Sequence, residues 1–99
     1  MVIVAGTLEV EPGRGEEFVQ SRHTQVLESR AEPGCLEYGF SLDPLVPGRV
    51  CLFERWETKD ALLAHLTRIR ATPAPPGPVP VLAAALTQYE VARAGELGS

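Results

Sequence analysis

Glu54, Trp56 and His65 stand within CLFERWETKDALLAHL, residues 51–66, and are the residue types that move protons and bind flat rings. On a strand, Glu54 and Trp56 share a face with Val50 and Leu52, while Arg55 turns to the opposite face with Cys51 and Phe53. A carboxylate beside an indole on an apolar face is desolvated. Its pKa rises, and it can then accept a proton or anchor a hydrogen bond. The plainer alternative is a rim carboxylate paired with Lys or Arg, beside a Trp that fills core. His65 follows on a helical stretch next to Leu62 and Leu66, where helix borders sheet and meets Trp56. A neutral imidazole there can take a proton from a phenol or enol; a packed, hydrogen-bonded core histidine is the structural alternative. His23 lies four residues after Val19, which aims it inward as well.

Other chemistries find no support in the spacing. The two histidines and two cysteines form no HxH, HxxxH or CxxC pattern, so no metal site is implied. Neither a G-x-G-x-x-G nor a G-x-x-x-x-G-K run occurs, and no G-x-S-x-G elbow, so nothing points to a dinucleotide, a nucleoside triphosphate or a serine nucleophile.

The elements that must position these residues are legible from periodicity. Residues 2–10, VIVAGTLEV, read as a strand with apolar side chains on both faces. EPGRG breaks the chain, and residues 16–31 take up a helical pattern with Glu16 and Glu17 in the first turn, where the helix dipole favours acids. EPG at 32–34 stops it. CLEYGFSL, 35–42, alternates, with Leu36, Tyr38, Phe40 and Leu42 on one side; DPLVPG is a loop, and VCLFERW, 50–56, is a third strand. Thr58 is placed to cap a helix over 59–70 that buries Leu62, Leu66 and Ile69. The Pro-rich stretch 72–80 forbids regular helix, a last strand is expected around 86–92, and 93–99 reads as a frayed tail. The order is βαββαβ, an α+β ferredoxin-like domain over residues 1–99 with an antiparallel sheet and both helices on one face. Hairpin register stays open: a one-residue slip moves Tyr38 and Phe40 from the face of Trp56 to that of Phe53.

Bulk properties narrow the setting. With 44% hydrophobic and 22% charged residues the chain has the make-up of a globular domain. A net charge of -4 without a basic cluster argues against nucleic acid. The first strand lacks a basic flank and is too short to span a bilayer, so it is read as neither signal peptide nor membrane anchor, and a cytoplasmic location is expected. Cys35 and Cys51 are separated by about five residues along the proposed hairpin, beyond the roughly 7 Å that a disulfide bridges, so free, mostly buried thiols are expected. Two helices cover only one sheet face, yet strands 1 and 3 are apolar on both. The bare face is expected to meet a second copy, giving a homodimer with sheets packed face to face.

EPGCLEY at 32–38, DPLVPGRVCLFERW at 43–56 and ALLAHL at 61–66, with E-x-W and a His nine residues past the Trp, resemble the antibiotic biosynthesis monooxygenase family over residues 2–70. The resemblance implies a dimeric α/β barrel that oxygenates anthrones, hydroquinones and related phenols with O2 and no metal, flavin or haem. It implies catalytic roles for His65, Trp56 and Glu54, with His23, Tyr38, Phe40, Leu52 and Leu62 at the substrate. Departures are visible too. Many relatives carry a second His where this chain has Arg70; haem-degrading relatives use an Asn where it has Thr7, and some polyketide oxygenases one where it has Leu52. The chain contains no Asn at all. Two other functions stay in play: a dimeric small-molecule-binding or stress-response module without chemistry, and an isomerase of a small carbonyl signal that uses the same His as base.

Overall fold

The structure is a computed structural model that describes residues 1–71 and 77–98. Its elements run β1 (Val2–Glu9), α1 (Gly15–Ser21), α2 (His23–Arg30), β2 (Cys35–Leu42), β3 (Arg49–Trp56), α3 (Lys59–Ala71) and β4 (Ala83–Glu90). The strands form one antiparallel sheet in the order β2-β3-β1-β4, the ferredoxin-like α+β arrangement expected from the pattern. Among the described residues there are three helices in place of the two expected.

The division of the first helix has a local cause. The Ser21 hydroxyl donates to the Phe18 carbonyl at 2.6 Å, and the Arg22 N–H turns to Val19 O at 3.1 Å. A hydroxyl that competes for a helical carbonyl tightens and bends the helix. Arg22, at φ -95° and ψ 5°, marks the break. Beyond it the inward positions are occupied by Gln25 and the fully buried Ser29, and His23 lies exposed, contrary to the inward placement expected from its spacing after Val19.

Register places Val2, Val4, Gly6 and Leu8 of β1 opposite Trp56, Glu54, Leu52 and Val50 of β3. On the other side of β3, Tyr38 pairs with Glu54 and Phe40 with Leu52, which puts both aromatics on the face of Trp56. Leu36 does not join them. A bulge between Cys35 and Glu37 takes it out of the ladder, and it is exposed. Cys35 therefore stands opposite Trp56 on the inner face, while Cys51 pairs with Ser41 on the outer one. Both thiols are free, as expected, but half-buried rather than buried.

The core lies between the sheet and the helices in two adjoining clusters, one around Trp56, Tyr38, Leu52, Leu62 and Val2, the other around Phe18, Val50, Leu8, Val10 and Val79. Thr58 Oγ1 accepts from Ala61 N at 3.1 Å and starts α3 as anticipated. Of the Pro-rich stretch, 72–76 lies outside the described residues; Val79, beyond it, is buried against the second cluster. The last strand begins at Ala83, earlier than its pattern suggests, because Leu82 N–H reaches Glu9 O and Val91 N–H reaches Met1 O, which pin both ends along β1. Every residue of β4 is exposed. Among the described residues no helix is long and apolar enough to cross a membrane.

Candidate functional site

The end of β3, the start of β2 and the middle of α3 converge at Trp56. Its indole Nε1 donates to Glu54 Oε1 at 3.0 Å, the two side chains leaving the same face of the strand. His65 lies over the indole with ring centroids 4.7 Å apart and planes 39° from parallel. Its Nδ1 is 2.8 Å from Glu32 Oε1, and its Nε2 faces Glu54 Oε1 at 3.9 Å, beyond hydrogen-bond reach. One turn along α3, Arg68 closes on the same Glu32 oxygen through Nη2 at 2.6 Å and Nε at 3.0 Å. The result is a row of Arg68, Glu32, His65, Glu54 and Trp56, hydrogen-bonded except across the 3.9 Å between His65 and Glu54.

The two carboxylates differ in their proton affinity. Burial pushes Glu54 above its ordinary 4.5, against the opposing pull of the Trp56 N–H and the charge of His65. Burial also raises Glu32, but the hydrogen bonds from His65 and Arg68 and their charges outweigh it, and Glu32 falls below 4.5. Glu32 is thus the anion that holds a proton on Nδ1. Nε2 is left with its lone pair toward Glu54 whenever the imidazole is neutral. A proton arriving at Glu54 is favoured there by burial.

Tyr38 borders this row. Its ring centroid is 5.3 Å from that of His65, and its hydroxyl accepts from Gln25 Nε2 at 2.7 Å. Desolvation raises its pKa, so it is a neutral phenol. Phe40 packs edge-on against Tyr38 and against Phe18, with centroids at 5.9 and 6.0 Å. These aromatics border a cavity of about 230 Å³ between sheet and helices. Leu8 and Leu52 face it from the sheet, Phe18, Arg22 and Gln25 from the helices, and Val81 from the segment before β4.

Of the residues singled out from sequence, Glu54, Trp56, His65, Tyr38 and Leu62 come together, and Phe40 and Leu52 line the adjoining cavity. Trp56 fills core, as in the plainer of the two alternatives for it. It is 0% exposed and His65 1%, so both stand behind Tyr38 rather than in the cavity. His23 takes no part: it borders a separate groove with Val19, Val26 and Leu27. Thr7 pairs with Cys51 on the outer face, and the neighbouring inner position is Gly6, where a Cβ would run into the Ala85 carbonyl of β4. Glu32 and Arg68 were missed, as were Arg22 and Gln25. Glu32 had a signal, since it precedes by three residues the Cys35 that pairs with Trp56. Arg22 had none, because its inward turn follows from the break at Ser21.

A model of the family described as antibiotic biosynthesis monooxygenase matches residues 1–70. An uncharacterized protein of Synechocystis sp., sll1783, is 38% identical over 64 residues, 65% of this chain; the chain spans 44% of the length of that relative. Among solved structures, PA3566 of Pseudomonas aeruginosa is 26% identical with a TM-score of 0.66, over 92% of this chain and 94% of its own. A Deinococcus radiodurans protein, provisionally described as an antibiotic biosynthesis monooxygenase, superposes over the whole of both chains at 23% identity and a TM-score of 0.71. The heme-degrader MhuD of Mycobacterium tuberculosis, solved with two hemes in its active site, is similar at 20% identity and a TM-score of 0.70, over 97% of this chain and 100% of its own. The likenesses at 23% and 20% identity concern the fold.

Proposed function

The chain belongs to the antibiotic biosynthesis monooxygenase family, and we propose that it is a cofactor-independent monooxygenase of a small phenolic, hydroquinone or anthrone-type substrate, acting as a cytoplasmic homodimer. The observation that carries this reading is an aromatic-walled cavity backed by a buried row of proton-accepting groups. A flat ring fits against Phe40, Leu52 and Phe18. The acidic proton of an anthrone-type substrate leaves toward Glu54 and His65 behind Tyr38. The resulting carbanion gives one electron to O2, the radical pair joins at the ring carbon as a hydroperoxide, and loss of water leaves a carbonyl. In balance, the CH2 and O2 become C=O and H2O. Apolar walls favour this by excluding the water that would reprotonate the anion.

Steady O2 uptake by metal-stripped protein with a panel of anthrones and hydroquinones, at least about tenfold slower in His65→Ala, is the expected result for a group that takes a proton. Silence across the panel would overturn the oxygenase. One observation favours a second reading, a binding module without chemistry: Trp56, His65 and Leu62 fill the end of the sheet–helix space as core side chains. That reading expects ligand binding without O2 uptake, and His65→Ala to act only on the melting temperature. Turnover of a small carbonyl compound without O2 would instead identify an isomerase.

A further inference from the structure

Among the described residues Arg22, like Arg30, Arg70 and Arg93, meets no carboxylate, but it alone of these cations borders the cavity. Arg14, Arg49, Arg55, Lys59 and Arg68 each meet a carboxylate. The Arg22 guanidinium stacks on the Phe18 ring, 4.8 Å from the centroid. Stacking holds the plane of the group and leaves its N–H edges unused, a geometry suited to oxygen anions. Arg22 is thus the one charged donor bordering a cavity whose walls include Leu8, Phe18, Phe40 and Leu52. An apolar pocket with one unneutralised cation takes an amphipathic anion better than a neutral ring of the same shape.

We propose that Arg22 is an anion-recognition residue, and that the ligand of this cavity is a small aromatic bearing a negatively charged oxygen, held by Arg22 with the ring against Phe40 and Leu52. This rests on the small-aromatic reading of the same cavity. The oxygen belongs either to a carboxylate or to a phenolate, which the guanidinium recognises by the same charge-assisted hydrogen bonds. Arg22 here selects and orients; the proton acceptors remain Glu54 and His65, on the other side of Tyr38.

The test is calorimetric binding to the full chain of two matched pairs: 4-hydroxybenzoate against neutral 4-hydroxybenzamide, and 4-nitrophenol above its ionisation pH against 4-nitrobenzyl alcohol. The expected result is a preference for the anion of about tenfold or more in at least one pair, the pair showing which oxygen is recognised. Arg22→Gln abolishes the preference, and Arg22→Lys, which keeps the charge but loses the stacked fork, restores only part of it. An unchanged melting temperature in Arg22→Gln shows that the fold is intact, as a half-buried side chain without an ion pair allows. Anion and neutral partner binding alike, or a preference that survives Arg22→Gln, overturns the role of Arg22 and leaves the aromatic cavity standing. Binding of no compound in either pair overturns the inference and the small-aromatic reading together.

Discussion

Glu32 and Glu54 flank one imidazole, yet folding shifts their proton affinities in opposite directions. Folded Glu54 holds its proton above 4.5, so near and above that pH the folded chain binds more protons than the unfolded one, and stability falls as pH rises until folded Glu54 also ionises. Glu32 contributes stability that is fully present above 4.5 and is lost as pH falls through its lowered value. Thermal unfolding across pH is therefore expected to give a flatter profile above 4.5 in Glu54→Gln. Glu32→Gln is expected to lose the acid limb and melt lower at neutral pH, because it weakens the hold on Arg68 and His65. An unaltered upper slope in Glu54→Gln would show that this carboxyl titrates as in the unfolded chain. Trp56→Phe removes the indole donor that opposes the rise of Glu54, so the falling limb should move to higher pH, and the buried vacancy and lost hydrogen bond should cost about 2–3 kcal/mol. At this scale the sequence showed which side chains of β3 and α3 come together. It hid Glu32, whose role depends on a loop folding back onto Trp56, and Arg22, whose direction depends on the hydroxyl of Ser21.

The loop that delivers Glu32 is set by backbone geometry between elements. Gly34 has φ +83°, and a Cβ there would stand 2.6 Å from the Ala61 Cβ of α3. Its carbonyl accepts from Glu57 N at 2.8 Å, which ties the entrance of β2 to the exit of β3. Gly34→Ala is thus expected to cost about 1–3 kcal/mol in denaturant unfolding and to loosen the Glu32 contact with His65. Adding Ala61→Gly should recover the steric part of the loss but not the part due to φ. Full recovery would mean that crowding alone matters at this turn. Alternation and turn residues sufficed to locate four strands and the Thr58 cap, since these signals are local. The bulge at Leu36 and the split at Arg22 were not legible: both alter phase by one residue without changing hydrophobic composition. That single step takes Leu36 off the inner face. The same kind of step frees His23 to solvent.

Across the whole molecule the sheet carries a second apolar surface. Ile3 and Ala5 of β1, Phe53 of β3 and Tyr89 of β4 share the face away from the helices, with Phe53 40% and Tyr89 52% exposed. An antiparallel sheet that faced water there would alternate to polar residues. Here the charges stand toward the margins, as the pairs Arg55 with Glu37 and Arg49 with Glu9, and the apolar residues lie between them. A dry centre within a polar rim is the anatomy of a protein interface. The two-faced apolar pattern of the first and third strands is the sequence signature of this surface, and it motivates the proposed homodimer. Phe53→Arg puts a charge at the centre of that surface without touching the core, so light scattering should find a dimer for the native chain and a monomer for the variant. Glu37→Gln, at the rim, should leave the dimer intact, because an exposed ion pair is worth about 1 kcal/mol or less. A native chain already monomeric would overturn the pairing. If Phe53→Arg separates the subunits and aromatic binding in the cavity persists, each protomer carries a complete site, since the cavity opens among the helices on the opposite side of the sheet.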